Sequence, residues 1–217
     1  MPSIPAENTR LRAGRRGRLF ALLALAAILA IYAAVWGHEL GHAVSAYLIG
    51  CKADPWRTGV TPFLWGSRGG AIDEACLARR GPWAVAAVAL SGIAVNLLCV
   101  GIAGLASRRT RRKWPLVALL LWGLANAGEG LSYLVLNTIW LRSDMAAVVA
   151  ALGGRWAWLA AGLAGTFCVS AGLRRPVRTA AERLTSPGLP ERFFRLAFTL
   201  YTLAVAVLAA IERVRLG

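Results

Sequence analysis

The chain has 217 residues, of which 58% are hydrophobic, and its mean hydropathy of +0.57 argues against a water-soluble globular domain. Its formal net charge of +15 would suit a nucleic-acid-binding protein, but the basic residues lie between apolar stretches rather than in one domain. We therefore expect a membrane protein with no nucleic-acid partner, whose basic segments determine topology and contact anionic lipid.

Five apolar stretches are long enough to cross a bilayer as helices, since about 20 residues at 1.5 Å each span a hydrocarbon core roughly 30 Å thick. In chain order they are 19–49, 82–106, 116–141, 156–173 and 193–211. We predict an all-α polytopic membrane protein with about five transmembrane helices. Its parts are a basic N-terminal segment (1–18), a three-span core (19–150) and two further spans within 151–217.

The basic start followed by an apolar run is also typical of a signal peptide. However, the apolar run continues past any suitable cleavage position near Tyr32 or Ala34 without a turn signal. An uncleaved first span is the simpler interpretation.

The distribution of Arg and Lys indicates an orientation in the membrane. Five precede the first span, five lie in 107–115 and six in 174–195, whereas the alternate segments contain five, two and two. The positive-inside rule then predicts a cytoplasmic N-terminus. The excess of Arg over Lys, 23 to 2, indicates a genome rich in G and C, and we expect a bacterial cell membrane.

The segment between the first two spans, 51–81, contains Pro, Gly and Trp with short strand-like runs such as "GVTPFLW". These features favour a short hairpin of strands at the membrane surface, with an irregular loop as the alternative. The segment contains Cys51 and Cys76. The four cysteines of the chain lack metal-ligand spacing, and a disulfide between these two remains open.

The first span contains the sequence "WGHELGHA", which includes the only two histidines of the chain. On a helix His38 and His42 face the same way, so both can direct a ring nitrogen at one ion. Glu39 can then act as general base and acid toward a metal-bound water. An ionised glutamate at membrane depth costs several kcal/mol unless it faces protein or water, which favours a functional role. The pattern predicts one Zn²⁺ per chain.

"HELGHAVSAYLIG" resembles the first motif of the site-2 protease family, the intramembrane zinc metalloproteases. In "ALSGIAVNLL", Gly92 and Asn96 match that family's Gly-Pro-x-x-Asn motif, although Ile93 replaces the proline. In "NTIWLRSDMAAVV", Asn137 and Asp144 resemble the third motif without its prolines. The resemblance implies Asp144 as the third zinc ligand, Asn96 as a substrate contact, and a strand hairpin that holds an extended substrate.

From the residues alone, Glu129 competes with Asp144 for the place of third ligand. Counted along straight helices at 1.5 Å per residue, neither lies at the depth of the histidines, and the resemblance favours Asp144. A second conflict concerns orientation. Well-known bacterial members of the family have the site nearer the cytoplasm, whereas the charge count places these histidines toward the outer half of the membrane.

The function expected from these features is hydrolysis of peptide bonds in membrane-protein substrates. His38, His42 and Asp144 would bind zinc, and Glu39 would be the catalytic residue. The alternative is a catalytically inactive, metal-binding homologue that serves as a regulatory or binding protein, or else a metal carrier. A carrier should have further ligands along a path through the membrane, and only Glu129 offers one.

Overall fold

A computed structural model describes residues 6–58 and 72–183, and within these ranges every regular element is a helix. The all-α prediction is therefore confirmed for the described residues. The elements are α1 (Ala6–Ile49), α2 (Glu74–Arg80), α3 (Pro82–Arg109), α4 (Lys113–Ser132), a π-helical segment (Tyr133–Asn137), α5 (Thr138–Trp140), α6 (Ser143–Leu152) and α7 (Arg155–Arg183).

Three helical stretches are long and apolar enough to cross a membrane: Ala21–Ile49, Pro82–Arg109 and Trp114–Trp140. They coincide with the first three predicted spans. The predicted fourth span, 156–173, falls inside α7, and the fifth, 193–211, lies outside the described residues, so the count of five stays a prediction. The middle of the predicted strand hairpin, 59–71, also lies outside them. In the described parts of the 51–81 segment the strand prediction is wrong, because these parts contain no strand and Glu74–Arg80 forms helix α2.

The end of α1 is set by a Schellman motif. Gly50, at φ 83°, donates its N–H to Tyr47 O, and Cys51 donates to Ala46 O. Cys51 also forms a disulfide with Cys76 of α2, with their Cα atoms 5.5 Å apart. Of the two alternatives left open by the sequence, the structure contains the disulfide. The loop after α1 is thereby tied to α2, the short helix that precedes α3.

Four apolar clusters of buried side chains hold the described helices together, and the two largest lie around the long helices. The first joins α1 to α4 and consists of Leu23, Ala30, Ala34, Leu116, Val117, Leu120, Leu121 and Ala125. The second joins α3 and the π-helical segment to α6 and consists of Ala89, Ile93, Leu134, Met145 and Val148. Helix α3 lies at the centre of the described helices, in contact with α1, α4 and α6.

Close approach of α1 and α3 depends on Gly41. A Cβ built on this residue would lie 2.8 Å from Ser91 O and 3.0 Å from Gly92 Cα. These are backbone atoms, so a larger residue would push the two helices apart. One turn further along α1, Ser45 Oγ and Ser91 Oγ form a hydrogen bond of 2.8 Å between the same helices. The backbones of α1 and α3 therefore meet beside the histidine motif.

The third span does not continue straight to its predicted end. Its α-helical hydrogen bonding changes to a π-helical pattern at Tyr133, and α5 ends at Trp140. Leu141 and Ser143 both have φ of 51°, a left-handed conformation that non-glycine residues adopt at a cost of about 1–3 kcal/mol. The chain turns back there, and α6 returns alongside the π-helical segment to pack Met145 and Val148 against Leu134.

Candidate metal centre

Helix α1 presents His38 and His42 to the interior of the helix assembly. The spacing of four residues places them on one face, where their ring centroids lie 4.6 Å apart in an edge-to-face arrangement. His38 is fully buried and His42 is 7% exposed. From His42 to the end of α1 is seven residues, about 10 Å at 1.5 Å per residue, so the pair lies near the end of the helix that contains the disulfide.

Asp144 reaches these histidines because the chain turns back at 141–143. It lies in the first turn of α6, and its Oδ2 is 3.1 Å from His38 Nε2 and 3.2 Å from His42 Nε2. Of the two acidic residues that competed on the sequence, Asp144 therefore joins the histidines. Among the described residues, the group of ligand atoms within 4.8 Å of one another consists of His38, His42 and Asp144, and Glu129 is not part of it.

The carboxyl group of Asp144 is held in its ionised form. Burial by itself would raise its pKa, but the imidazoles of His38 and His42, when protonated so that they donate to this carboxylate, outweigh that effect and lower the pKa from 3.8 to about 2. Asp144 therefore brings a negative charge to the two imidazoles throughout the neutral pH range.

The hydrogen bonding of His42 determines what can lie between its Nε2 atom and the carboxylate of Asp144. His42 Nδ1 is 2.7 Å from the carbonyl oxygen of Val88, which can only accept, so Nδ1 carries a proton. In a neutral imidazole, Nε2 then presents a lone pair to Asp144 Oδ2, which also can only accept. Two acceptors 3.2 Å apart require a proton or a cation between them. The arrangement is suited to a positively charged species at this point.

The spacing of these atoms matches a small transition-metal ion. Ligands held at 2.0–2.1 Å in a tetrahedron lie about 3.3 Å from one another, close to the two Nε2-to-Oδ2 distances. Two neutral imidazoles and one carboxylate also form the donor set that Zn²⁺ takes in catalytic sites, which have three protein ligands and a fourth, open position. The contact from His42 Nδ1 to Val88 is the kind of outer hydrogen bond that orients a ligating histidine.

Gly92 of α3 supplies the space for this arrangement. A Cβ built on Gly92 would lie 2.7 Å from His42 Nε2 and 2.8 Å from His38 Nε2. Any side chain here would occupy the position beside the two nitrogen atoms that face Asp144. The close approach of α3 to the site therefore requires a glycine.

The other two predicted site residues are buried nearby. Glu39 is 5% exposed, and its carboxylate lies within electrostatic range of His42 and Tyr133. Asn96 is fully buried on α3, one turn after Gly92, and its Cβ lies 3.2 Å from a Cβ built on Gly130 of α4. Neither amide atom of Asn96 has a hydrogen-bond partner among the described residues. A buried amide of this kind has unused capacity to donate and accept.

Two features of the site were not predicted from the sequence. Tyr133 packs its ring on His38, with centroids 4.3 Å apart, and the carbonyl of Val88 orients His42. The polar residues of the third span, Asn126, Glu129, Ser132 and Tyr133, recur at helical spacing, and that pattern could have pointed to Tyr133. A backbone carbonyl inside an apolar helix leaves no mark in the sequence.

Comparison of this chain with protein-family models, with curated proteins and with solved structures found no match.

Proposed function

We propose that this chain is an intramembrane zinc metalloprotease that hydrolyses peptide bonds of membrane-protein substrates. The observation that carries the proposal is the convergence of His38, His42 and Asp144 from two separate helices on one point between apolar spans. The HExxH pattern with an aspartate as third ligand is the arrangement of the site-2 protease family, which the sequence motifs resemble. Burial of three such groups at membrane depth is costly without a function.

The roles of the residues follow from their chemistry. His38, His42 and Asp144 would hold Zn²⁺, which would supply an acidic water near neutral pH and a Lewis acid for the reacting carbonyl. Glu39, adjacent to His38 and buried, accepts the proton of the attacking water and passes it to the leaving amine. Asn96 offers its amide, which has no hydrogen-bond partner in the described part of the chain, to the backbone of the substrate. The hydrogen bond to the carbonyl of Val88 orients His42. Asp144 completes the ligand set.

The side of the membrane on which the site opens is part of the proposal. The disulfide between Cys51 and Cys76 belongs to an oxidising compartment, and it lies at the same end of α1 as the histidines. The charge distribution independently assigns that end to the outside and the N-terminus to the cytoplasm. Substrates would accordingly be cut in the outer half of a bacterial cell membrane.

A second candidate, a metal-binding homologue without proteolytic activity, is favoured by one observation. Met145, which follows Asp144 where the family pattern has a glycine, is fully buried in the cluster that joins α3 to α6. A large packed side chain beside the third ligand narrows the space available to a substrate. Retention of Glu39, which metal binding does not require, favours the protease.

Two measurements test the proposal. Elemental analysis of the purified full chain should find about one zinc per wild-type molecule, and none in His42→Ala or Asp144→Ala. Glu39→Gln should retain zinc. Membranes of cells that express wild type should then contain new protein termini, located within transmembrane segments, that are missing with Glu39→Gln. Zinc without any Glu39-dependent cleavage would favour the inactive homologue, and the lack of stoichiometric metal would refute both.

A further inference from the structure

The two histidines of the site are oriented by different means. His42 is fixed by the hydrogen bond from Nδ1 to the carbonyl of Val88. His38 Nδ1 is buried and has no hydrogen-bond partner among the described residues. A ligating histidine usually donates its second ring N–H to an oxygen atom, which sets the plane of the ring. In His38 another contact must set that plane.

The ring of Tyr133 makes that contact. Its centroid lies 4.3 Å from that of His38, with the ring planes inclined by 36°. The ring of His42 also contacts His38, in an edge-to-face arrangement. His38 therefore contacts two other rings, those of Tyr133 and His42. Such packing restricts rotation of the imidazole about its χ2 angle, which is otherwise a broad, weakly restricted torsion.

Tyr133 reaches His38 from the point where α4 changes to the π-helical segment. A π-helical turn contains one more residue than an α-helical turn, so it changes the direction of the side chains that follow. Such turns occur frequently at functional sites. Tyr133 also faces the side chain of Ser143, the residue before Asp144, and the carboxylates of Glu129, Asp144 and Glu39 lie within electrostatic range of its hydroxyl group. Tyr133 therefore contacts the ligand His38 and also Ser143, the neighbour of the ligand Asp144.

We propose that Tyr133 is a positioning residue of the metal site, whose aromatic ring holds the His38 imidazole in the plane that directs Nε2 at the ion. The role rests on the proposed metal binding but does not depend on proteolysis. It belongs to the ring and not to the hydroxyl group. Phenylalanine should therefore replace Tyr133 without loss, whereas an aliphatic residue should not.

The test measures zinc affinity of the full chain by competition with a chelator of known affinity. The variants are Tyr133→Phe and Tyr133→Leu, and the matched control is Tyr47→Leu, a half-exposed tyrosine near the end of α1. Tyr133→Phe and Tyr47→Leu should bind zinc within about threefold of wild type. Tyr133→Leu should bind it about 10–100 times more weakly, the loss typical of residues that orient metal ligands.

Substitution by Co²⁺ separates positioning from general destabilisation. The visible absorption of bound Co²⁺ reports ligand geometry, so it should change in Tyr133→Leu and stay as in wild type in Tyr133→Phe. If Tyr133→Leu does not fold, Tyr133→Met takes its place, because the flexible unbranched side chain of methionine adapts to an irregular space without a flat ring.

The outcomes discriminate between the two proposals. Equal zinc affinity and equal Co²⁺ spectra in Tyr133→Leu and wild type overturn the positioning role and leave the metal site intact. Equal losses in Tyr133→Phe and Tyr133→Leu assign the effect to the hydroxyl group and also overturn it. A wild-type chain that binds no stoichiometric metal overturns the metal site and the positioning role together.

Discussion

Gly92 of α3 stands directly against His42 of α1, with so little room that a single added carbon atom would lie 2.7 Å from His42 Nε2. The same carbon would lie 2.8 Å from His38 Nε2. Distances below 3.0 Å do not occur between real Cβ atoms and their neighbours, so the imidazoles would have to move. Gly92 thus couples the packing of two helices to the geometry of the ligands.

We predict that Gly92→Ala weakens zinc binding at least about tenfold, because displacement of ligands by a few tenths of an ångström is enough to disturb a site of fixed geometry. The measurement is zinc affinity by chelator competition on the purified chain. Alanine is a better helix former than glycine, so the loss would not come from α3 itself.

The control for this variant is Gly101→Ala on the same helix. A Cβ built on Gly101 meets no atom of the described residues within 4 Å. It should leave zinc affinity unchanged and stabilise the helix slightly. If Gly92→Ala binds zinc as tightly as Gly101→Ala, the assigned geometry of the nitrogen atoms is wrong.

Glu129 and Asp144 provide a second test, since both are acidic residues of the same part of the chain. Their isosteric variants, Glu129→Gln and Asp144→Asn, each remove one negative charge without changing the size of the side chain. We predict about one zinc per chain in Glu129→Gln and less than a tenth of that in Asp144→Asn, because Asp144 alone of the two lies against the histidines. Elemental analysis of both proteins, purified side by side, measures this difference.

The opposite result would have a clear meaning. Zinc lost in Glu129→Gln and retained in Asp144→Asn would move the third ligand to the middle of the third span, where the sequence left it as an alternative.

The extent to which the sequence predicted this arrangement can be judged from Asp144. Composition and apolar length predicted the three long helices, and the spacing of four predicted the shared face of His38 and His42. The estimate of membrane depth, counted at 1.5 Å per residue, failed for Asp144 because it assumed that the third span continues as a straight helix. In the structure Leu141 and Ser143 adopt left-handed conformations that local propensity disfavours, and the chain turns back. Packing of α6 on α3 and the hydrogen bonds of Arg155 to the carbonyls of α5 stabilise that turn.

Resemblance to a family, and not physical reasoning, selected Asp144 and Gly92 from the sequence. The structure supplies the physical reason for Gly92, which is lack of space for a Cβ. For Tyr133 neither route was sufficient. The helical spacing of the polar residues in the third span points to Tyr133, but the packing of its ring on His38 is visible only in three dimensions.

The disulfide leads to a prediction about membrane orientation. In a chain that carries Cys99→Ala and Cys168→Ala, Cys51 and Cys76 are the remaining cysteines. We predict that a membrane-impermeant maleimide labels intact cells only after treatment with an impermeant reductant, because the bonded pair faces the outside. Labelling is measured as a mass shift of the protein on a gel.

Two results would contradict this orientation. Thiols that react without reductant, but only after the cells are lysed, would place the pair in the reducing cytoplasm. Resistance to labelling in intact cells after reduction, with labelling after lysis, would do the same. The control is a chain with all four cysteines replaced, which should not react under any condition.

Arg155 stabilises the turn at 141–143 that brings Asp144 to the two histidines. Its guanidinium donates Nε–H to Thr138 O at 3.3 Å and a second N–H to Ile139 O, two carbonyls at the end of α5. Arg155→Met keeps most of the side-chain volume and removes these donors, so we expect the free energy of unfolding to fall by about 1–3 kcal/mol. Zinc affinity should fall several-fold, since Asp144 follows this turn.

Thermal unfolding with and without zinc measures both effects. The matched control is Arg108→Met, which changes an exposed arginine at the far end of α3. Equal unfolding temperatures for the two variants would mean that the turn is held by the packing of Met145 and Val148 alone.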